Sequence, residues 1–173
     1  LYGDQQVHKI FYIGSMFRYD RPQAGRYREF HQFGVEVLGA VSPAADAEVI
    51  ALAYDLFQSL GLKDLSLHIN SIGDSICRPV YRKKLIEFFE ERKDHLCADC
   101  RERLYKNPLR ILDCKEEGCK TESEGAPEIT DYLCETCNEK FEAVKQYLSA
   151  LGIPYKVDSR LVRGLDYYTN TAF

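Results

Sequence analysis

Four arginines lie close together between two extended stretches of the chain. They are Arg18, Arg21, Arg26 and Arg28, within the segment FRYDRPQAGRYREFHQFGVE that runs from Phe17 to Glu36. A guanidinium group can donate hydrogen bonds to two oxygens at once, so clustered guanidiniums suit the oxygens of a polyphosphate nucleotide. The spacing predicts a phosphate-binding hairpin. The alternative is a solvent-exposed hairpin whose arginines pair with Asp20, Glu29 and Glu36.

Alternate residues after this loop bring further chemistry to one surface. In a β-strand, Phe30, Gln32, Gly34 and Glu36 share a face. An aromatic ring that can stack on a base, an amide and a carboxylate would then lie beside the arginines. Gly34 would leave room there for a ligand.

Six of the seven cysteines form the close pairs Cys97-x2-Cys100, Cys114-x4-Cys119 and Cys134-x2-Cys137. Without a secretion signal, such pairs indicate thiols or metal ligands rather than disulfides, and two pairs together form a four-thiolate zinc site. The segment has few large apolar residues, so a small lobe there needs a cross-link such as a bound metal ion to be stable. We predict a structural zinc on Cys114, Cys119, Cys134 and Cys137, because a short loop closes at little entropic cost. Cys97 and Cys100 are rival ligands, and free thiols, with Cys137 in the core, are the alternative.

The hydrophobic pattern predicts α and β elements that position these groups. Two strands, Lys9 to Met16 and Glu29 to Leu38, flank the arginine loop. A helix begins at the cap Ser42-Pro43 and ends at Gly61, and a half-buried strand covers Leu65 to Ile69.

The second half of the chain continues with helices. One is predicted from about Pro79 to Asp94 and another from Cys137 to Leu151, where Gly152 ends it. A short strand, Tyr155 to Val157, and a final strand, Asp166 to Phe173, follow.

The composition argues against two classes of protein: those that coat nucleic acid and those that span a membrane. The net charge of -4 argues against a protein that coats nucleic acid without specificity, since that mode needs many cations to replace phosphate counterions. No apolar run approaches the roughly 20 residues of a membrane span, which predicts a cytoplasmic protein. The chain opens at Leu1 without a Met and closes inside a predicted strand, which predicts a piece of a longer protein.

The arginine loop resembles motif 2 of class II aminoacyl-tRNA synthetases in its histidyl form, FR-x-[ED]-RPQ-x-GRYR-x-FHQ-x-G-x-E. The run LVRGLDYYT, from Leu161 to Thr169, resembles the histidine-binding signature of the same family. The resemblance covers essentially the whole chain, most loosely in its middle third. It implies an α+β class: part of the six-stranded antiparallel class II sheet flanked by helices, with a small, mostly helical, Cys-rich insertion domain. The implied division is catalytic core 1–73, insertion domain 74–152 and return to the core 153–173.

The resemblance also implies an activity. Histidine would react with ATP, carried with Mg²⁺, to give histidyl-adenylate, and would then be transferred to the 3′ end of tRNA(His) by a homodimeric ligase. Motif 1 and motif 3 of the family do not occur in the 173 residues, so the chain alone is expected to be inactive.

Nucleotide-binding roles are implied for four residues of the loop. Arg18 would bind the α-phosphate and the histidine carboxylate, and Arg26 would reach the distal phosphates. Phe30 would stack on adenine. Asp20 would meet the adenine amino group, at a position where the motif more often has Glu.

Histidine-binding roles are implied for residues of both motifs. Gln32 and Glu36 would hold the amino acid, and Tyr167 and Tyr168 would line the imidazole pocket. Arg163 would be the second α-phosphate ligand, so that Arg18 and Arg163 form the catalytic pair that clamps one phosphorus.

Other functions fit part of the pattern. A non-catalytic relative of the same fold, such as a regulatory subunit of ATP phosphoribosyltransferase or a tRNA-sensing domain, need not keep the nucleotide clamp. A zinc-ribbon RNA-binding module would explain the cysteines but not the two signatures. Within the insertion, Arg101, Arg103, Lys106 and Arg110 either face tRNA phosphates or form a solvated charged face.

Overall fold

The computed structural model describes residues 7–163 and 167–173. Strands β1 (His8–Phe17) and β2 (Glu29–Leu38) form an antiparallel hairpin. Strands β3 (Leu67–Ser71), β4 (Tyr155–Val157) and β5 (Thr171–Ala172) form a second sheet in the order β4-β3-β5, with β3 parallel to β4 and antiparallel to β5. The predicted α+β class is confirmed.

The helices of the described residues are α1 (Pro43–Ser59), α2 (Cys77–Glu90), α3 (Ala98–Lys106), α4 (Leu109–Leu112), α5 (Glu117–Glu122) and α6 (Glu135–Ala150). Short 3-10 turns lie at Lys93–His95 and Ile129–Tyr132. Among these described residues, no helix combines the length and the apolar character that crossing a membrane requires.

Local signals account for the boundaries of α1. The Ser42 hydroxyl accepts a hydrogen bond from the Ala44 backbone N–H at 3.2 Å, and Pro43 occupies the first turn, where its missing N–H costs nothing. The helix ends before Gly61, whose φ of 81° lies in the left-handed region that glycine adopts without strain. The predicted helix is confirmed.

Other boundaries differ from the sequence prediction by a few residues. Helix α2 begins at Cys77 rather than Pro79, because the Asp74 carboxylate accepts hydrogen bonds from the backbone N–H groups of Ile76 (2.8 Å) and Cys77 (3.1 Å). Strand β5 covers only Thr171–Ala172 of the predicted final strand, and Asp166 lies outside the described residues.

One apolar cluster joins the three-stranded sheet to the two long helices. Helices α1 and α6 pack on each other and on β3 through Ala47, Ile50, Ile69, Phe141, Val144, Leu148 and Ile153. Helix α6 therefore packs with the sheet, although the predicted division groups residues up to 152 with the insertion. The division at residue 152 stays a prediction.

A second apolar cluster lies inside the insertion and is built mainly on α2. Its fully buried members include Tyr81, Leu85, Phe89, Leu96, Leu104, Ile111 and Ile129. The residues between α2 and the second 3-10 turn therefore share a packed core. Cys100 and Cys119 belong to this core as well.

Replacing Leu85 by Ala should destabilise the insertion by about 2 to 5 kcal/mol, because the side chain is fully buried and its loss leaves a cavity. Denaturant unfolding monitored by amide exchange in α2 to α5 measures the effect. Val80→Ala is the control, since Val80 lies on the same helix with 54% exposure. Equal effects of the two substitutions would contradict the assigned core.

Candidate functional site

The arginine hairpin gathers its charges around one carboxylate. Asp20 Oδ2 lies 2.8 Å from Arg26 Nη2 and 3.5 Å from Arg18 Nε. The Arg28 side chain donates to the Asp20 carbonyl oxygen at 3.1 Å, and Arg18 Nε donates to the Tyr27 carbonyl oxygen at 2.8 Å. Like charges that would repel one another are thereby held in one hairpin by a single acid.

The predicted base-stacking residue lies directly beside this group. The Arg18 guanidinium lies over the Phe30 ring, 4.6 Å from its centroid. Four predicted nucleotide ligands, Arg18, Asp20, Arg26 and Phe30, are therefore neighbours. The pairing with Asp20 also matches part of the alternative prediction of an ion-paired hairpin, whereas Glu29 and Glu36 form no ion pair with the described residues.

The histidine-binding candidates of β2 follow on the same face. In the β1–β2 register Phe30 lies opposite Met16, Gln32 opposite Gly14 and Gly34 opposite Tyr12, so the alternation along the strand is regular. Gln32 Nε2 donates to the Tyr12 hydroxyl at 3.0 Å.

The space above Gly34 is filled, contrary to the sequence expectation of room for a ligand. A Cβ atom at position 34 would lie 2.3 Å from Cζ of Tyr12. The glycine thus accommodates the Tyr12 ring, which crosses the hairpin to reach Gln32. Tyr12 is a residue of this surface that the sequence analysis missed, and its cross-strand pairing with Gly34 becomes visible only in the register.

The described residues of the second signature include an exposed group of one arginine and two tyrosines. The rings of Tyr167 and Tyr168 stack with centroids 4.3 Å apart, and the Arg163 guanidinium lies 5.4 Å from the Tyr168 centroid. Arg163 also reaches the Phe173 carbonyl oxygen at 3.5 Å. Both of these Arg163 interactions are therefore with the described residues 168–173.

Two residues outside the signatures hold this segment. The Arg78 side chain, from the first turns of α2, donates to the Tyr168 carbonyl oxygen. Asn170, with a φ of 57°, donates its backbone N–H to the Gly73 carbonyl (2.9 Å) and accepts from the Ile72 N–H (2.8 Å). The segment that carries the two tyrosines is therefore anchored to the end of β3 and the start of α2.

The two predicted phosphate ligands belong to different groups in the structure. Among the described residues, the hydrogen bonds, ion pair and ring contact of Arg18 lie within the hairpin, and the hydrogen bond and ring contact of Arg163 lie within the carboxyl-terminal segment. Their convergence on one phosphorus stays a prediction.

The cysteines form two clusters, which corrects the predicted grouping. Cys97, Cys100, Cys114 and Cys119 form one, which we call the lobe cluster, and their sulfur atoms all lie within 4.8 Å of one another. Cys134 and Cys137 lie elsewhere, with Cys77 and Asp74, in a group of the same span that we call the junction cluster. The rival pair Cys97 and Cys100 therefore takes the place of Cys134 and Cys137 beside Cys114 and Cys119, because α6 begins at the sheet and not inside the lobe.

Both clusters contain thiols of contrasting acidity. Burial raises the pKa of Cys100 and Cys119, and likewise that of Cys77 and Cys137. Burial also opposes ionisation of Cys97, but the Cys100 backbone N–H and the neighbouring thiols outweigh it and hold the Cys97 pKa below its usual range.

The junction cluster has the same contrast. The backbone N–H of Cys137 and the Cys77 thiol lower the pKa of Cys134. The backbone N–H groups of Cys77 and Ile76 lower the pKa of Asp74 to about 2. The anionic forms of Cys134 and Asp74, which are the forms that bind metal ions, are therefore favoured.

A spacing signal for the junction cluster was present in the sequence. Asp74-x2-Cys77 repeats the separation of the Cys-x2-Cys pairs, with a carboxylate in place of the first thiol. Cys77 has no other cysteine near it in the chain, so the pattern of close cysteine pairs does not include it.

The basic residues of the insertion are mostly paired with acids. Arg103 lies 3.7 Å from Asp99, Lys106 lies 3.6 Å from Glu102, and Arg110 lies 3.3 Å from Asp113. These pairs are three or four residues apart, as is usual on a solvated helical face. Phosphate contact by Arg101, Arg103, Lys106 and Arg110 stays a prediction.

Comparison with known proteins identifies relatives over the whole chain. The family model described as histidyl-tRNA synthetase matches residues 1–173. The histidine–tRNA ligase of Desulforudis audaxviator is 61% identical over 173 residues, and that of Halothermothrix orenii is 58% identical over the same length. Each match covers 100% of this chain and 41% of the relative, so the chain spans about two fifths of the length of these curated relatives.

A solved structure from the same family has a similar fold. The crystal structure of apo Staphylococcus aureus histidyl-tRNA synthetase superposes with a TM-score of 0.73 at 46% sequence identity. The match covers 98% of this chain and 38% of that one.

Replacing Gly34 by Ala should displace the Tyr12 ring and break its hydrogen bond with Gln32, which would destabilise the hairpin by about 1 kcal/mol. Amide exchange in β1 and β2 should then speed up by about fivefold. Gly14→Ala is the matched control, because a Cβ there meets no atom within 4 Å. Unchanged exchange in the Gly34 variant would refute the close packing.

Proposed function

The chain belongs to the histidyl-tRNA synthetase family, and from that premise we propose that the full-length protein containing it is a histidine–tRNA ligase. It would activate histidine with ATP and transfer it to the 3′ end of tRNA(His). The observation that carries the proposal is the single group formed by Arg18, Arg26, Asp20 and Phe30 on the arginine hairpin.

The hairpin supplies the nucleotide half of the proposed site. ATP enters as its Mg²⁺ complex and is polyanionic, so it competes with Asp20 for the guanidiniums of Arg18 and Arg26. Asp20 holds both arginines in place before ATP binds, which reduces the entropic cost of ordering their side chains on binding. Adenine stacks on Phe30. Arg18 already contacts that ring, so its guanidinium is close to the bound base.

The chemistry proposed for the first step is an in-line displacement. A histidine carboxylate oxygen attacks the α-phosphorus, a new P–O bond forms, and the bond to pyrophosphate breaks. Two anions must approach each other, so the role assigned to Arg18 and Arg163 is to cancel this repulsion and to hold the charge that develops on the equatorial oxygens.

Histidine recognition is assigned to both segments. Glu36, which forms no ion pair with the described residues, suits the ammonium group of the amino acid, and Gln32 supplies an amide beside it. The stacked pair of Tyr167 and Tyr168 supplies an aromatic wall for an imidazole.

A non-catalytic synthetase relative is the alternative, whether a regulatory subunit of ATP phosphoribosyltransferase or a tRNA-sensing domain. Such a protein has no need of a phosphate clamp. The presence of both arginine groups and of the tyrosine pair favours the ligase. Binding of tRNA(His), the homodimer and the cytoplasmic location stay predictions for the full-length protein.

We also propose a structural zinc ion in the lobe cluster. Four sulfurs on a tetrahedral zinc lie about 3.8 Å apart, given Zn–S distances of about 2.3 Å. Those of Cys97, Cys100, Cys114 and Cys119 lie within 4.8 Å of one another, so small side-chain shifts would complete the site. The ion would join α3 to α5 across the core of the insertion, away from the reaction.

In the full-length protein, Arg163→Ala and Arg18→Ala should each slow adenylate formation by at least ~10²-fold, the usual loss for one donor to a transition state. Histidine-dependent pyrophosphate exchange measures the step. Arg160→Ala is the control, because that exposed arginine has no role in the proposed site. Normal exchange in the Arg163 variant would end the assignment of its role.

Replacing Cys114 by Ser should remove the lobe zinc, so that metal analysis of the full-length protein finds about one ion fewer per chain than in the parent. Lys115→Ser, a substitution of the adjacent residue, should keep the ion. Equal zinc content in the two variants would contradict the four-thiolate site.

A further inference from the structure

The junction cluster lies where the insertion leaves and rejoins the core. Asp74 and Cys77 connect the end of β3 to the start of α2, and Cys134 and Cys137 open α6. The cluster therefore joins two points that are far apart in the chain and adjacent in space. We propose that Asp74, Cys77, Cys134 and Cys137 bind a second zinc ion, which locks this junction.

The cluster repeats the design of the lobe cluster. In each, a Cys-x2-Cys pair begins at the N-cap of a helix: Cys97 at α3 and Cys134 at α6. The second cysteine of each pair, Cys100 or Cys137, is buried.

In each cluster, a backbone N–H group donates a hydrogen bond to the sulfur of the third cysteine. The backbone N–H of Cys97 donates to the Cys119 sulfur at 3.2 Å, and the backbone N–H of Cys134 donates to the Cys77 sulfur at 3.0 Å. Hydrogen bonds from backbone N–H groups stabilise metal-bound thiolates, since they disperse the negative charge. Two segments that are distant in the chain therefore have the same arrangement of three sulfur atoms.

The fourth ligand distinguishes the two clusters. Cys114 supplies a thiolate in the lobe cluster, and Asp74 supplies a carboxylate in the junction cluster. Zinc also binds Asp and Glu carboxylate oxygens, at about 2.0 to 2.2 Å. One oxygen of Asp74 accepts the backbone N–H groups of Ile76 and Cys77, which fixes the side chain, and a carboxylate has a second oxygen that can bind the ion.

The backbone around Asp74 is shaped to bring its ligands together. Gly73 has a φ of 62°, and a Cβ atom there would lie 3.0 Å from the Cβ of Cys77. Only glycine allows the chain to turn this tightly against the cysteine. The turn directs Asp74 and Cys77 toward the start of α6.

The junction cluster also touches the segment that carries Tyr167 and Tyr168. The Cys137 sulfur lies 3.5 Å from the Asn170 side-chain oxygen, and the Asn170 backbone N–H donates to the Gly73 carbonyl oxygen. Arg78, next to Cys77, holds the Tyr168 carbonyl. An ion at this point would therefore stiffen residues 167–173 as well as the base of the insertion.

Zinc counting by native mass spectrometry on the full-length protein tests the proposal without use of its activity. The parent should hold about two zinc ions per chain, and the double variants C97S/C100S and C134S/C137S about one each. A parent with about one ion, all of it lost in C97S/C100S, would overturn the second site. Retention of about two ions by C134S/C137S would overturn it as well.

Asp74→Asn provides a test that does not depend on survival of the fold in the double variant. The amide oxygen can still accept the two backbone N–H groups, but it is a poor ligand for zinc. We expect one of the two ions to pass to a chelator at least ~10-fold faster, and Asp74→Cys to restore slow release. Amide exchange of residues 167–173 should rise in Asp74→Asn and not in C97S/C100S. Identical release from Asp74→Asn and the parent would overturn the assignment of Asp74.

Discussion

The structure depends on one constraint: the two ends of the insertion must meet beside the last residues of the chain. The backbone N–H of Cys134 lies 3.0 Å from the Cys77 sulfur, and Asn170 is hydrogen-bonded to Ile72 and Gly73. Cys77 and Cys134, far apart in the chain, are thereby held next to each other. The cost of closing so long a loop falls on a few contacts at this junction.

The arginine hairpin solves a different problem, the repulsion between like charges. Asp20 lies against both Arg18 and Arg26, and the ring of Phe30 contacts Arg18 from one face. These contacts are exposed, so each contributes little to stability. Their effect is to keep the guanidiniums close together around a single carboxylate.

Most of the elements could be predicted from local patterns. The cap at Ser42, the stop at Gly61 and the alternation along β2 each act within a few residues, and the structure agrees with them. The start of α2 was missed because its capping residue, Asp74, lies three residues outside the helix and has a polar side chain common in loops. The ring of Tyr12 over Gly34 was missed because strand register is a property of two strands together.

The sequence by itself identified the family, the arginine loop, the tyrosine signature and the three close pairs of cysteines. Only the tertiary structure decided which cysteines are neighbours. Loop length favours the nearest pairs in the chain, but α6 packs on α1 and carries Cys134 and Cys137 to the sheet, where Cys77 and Asp74 lie. The free energy gained by burying apolar surface between the helices far exceeds the entropic gain from a short loop, so helix packing determines which cysteines meet.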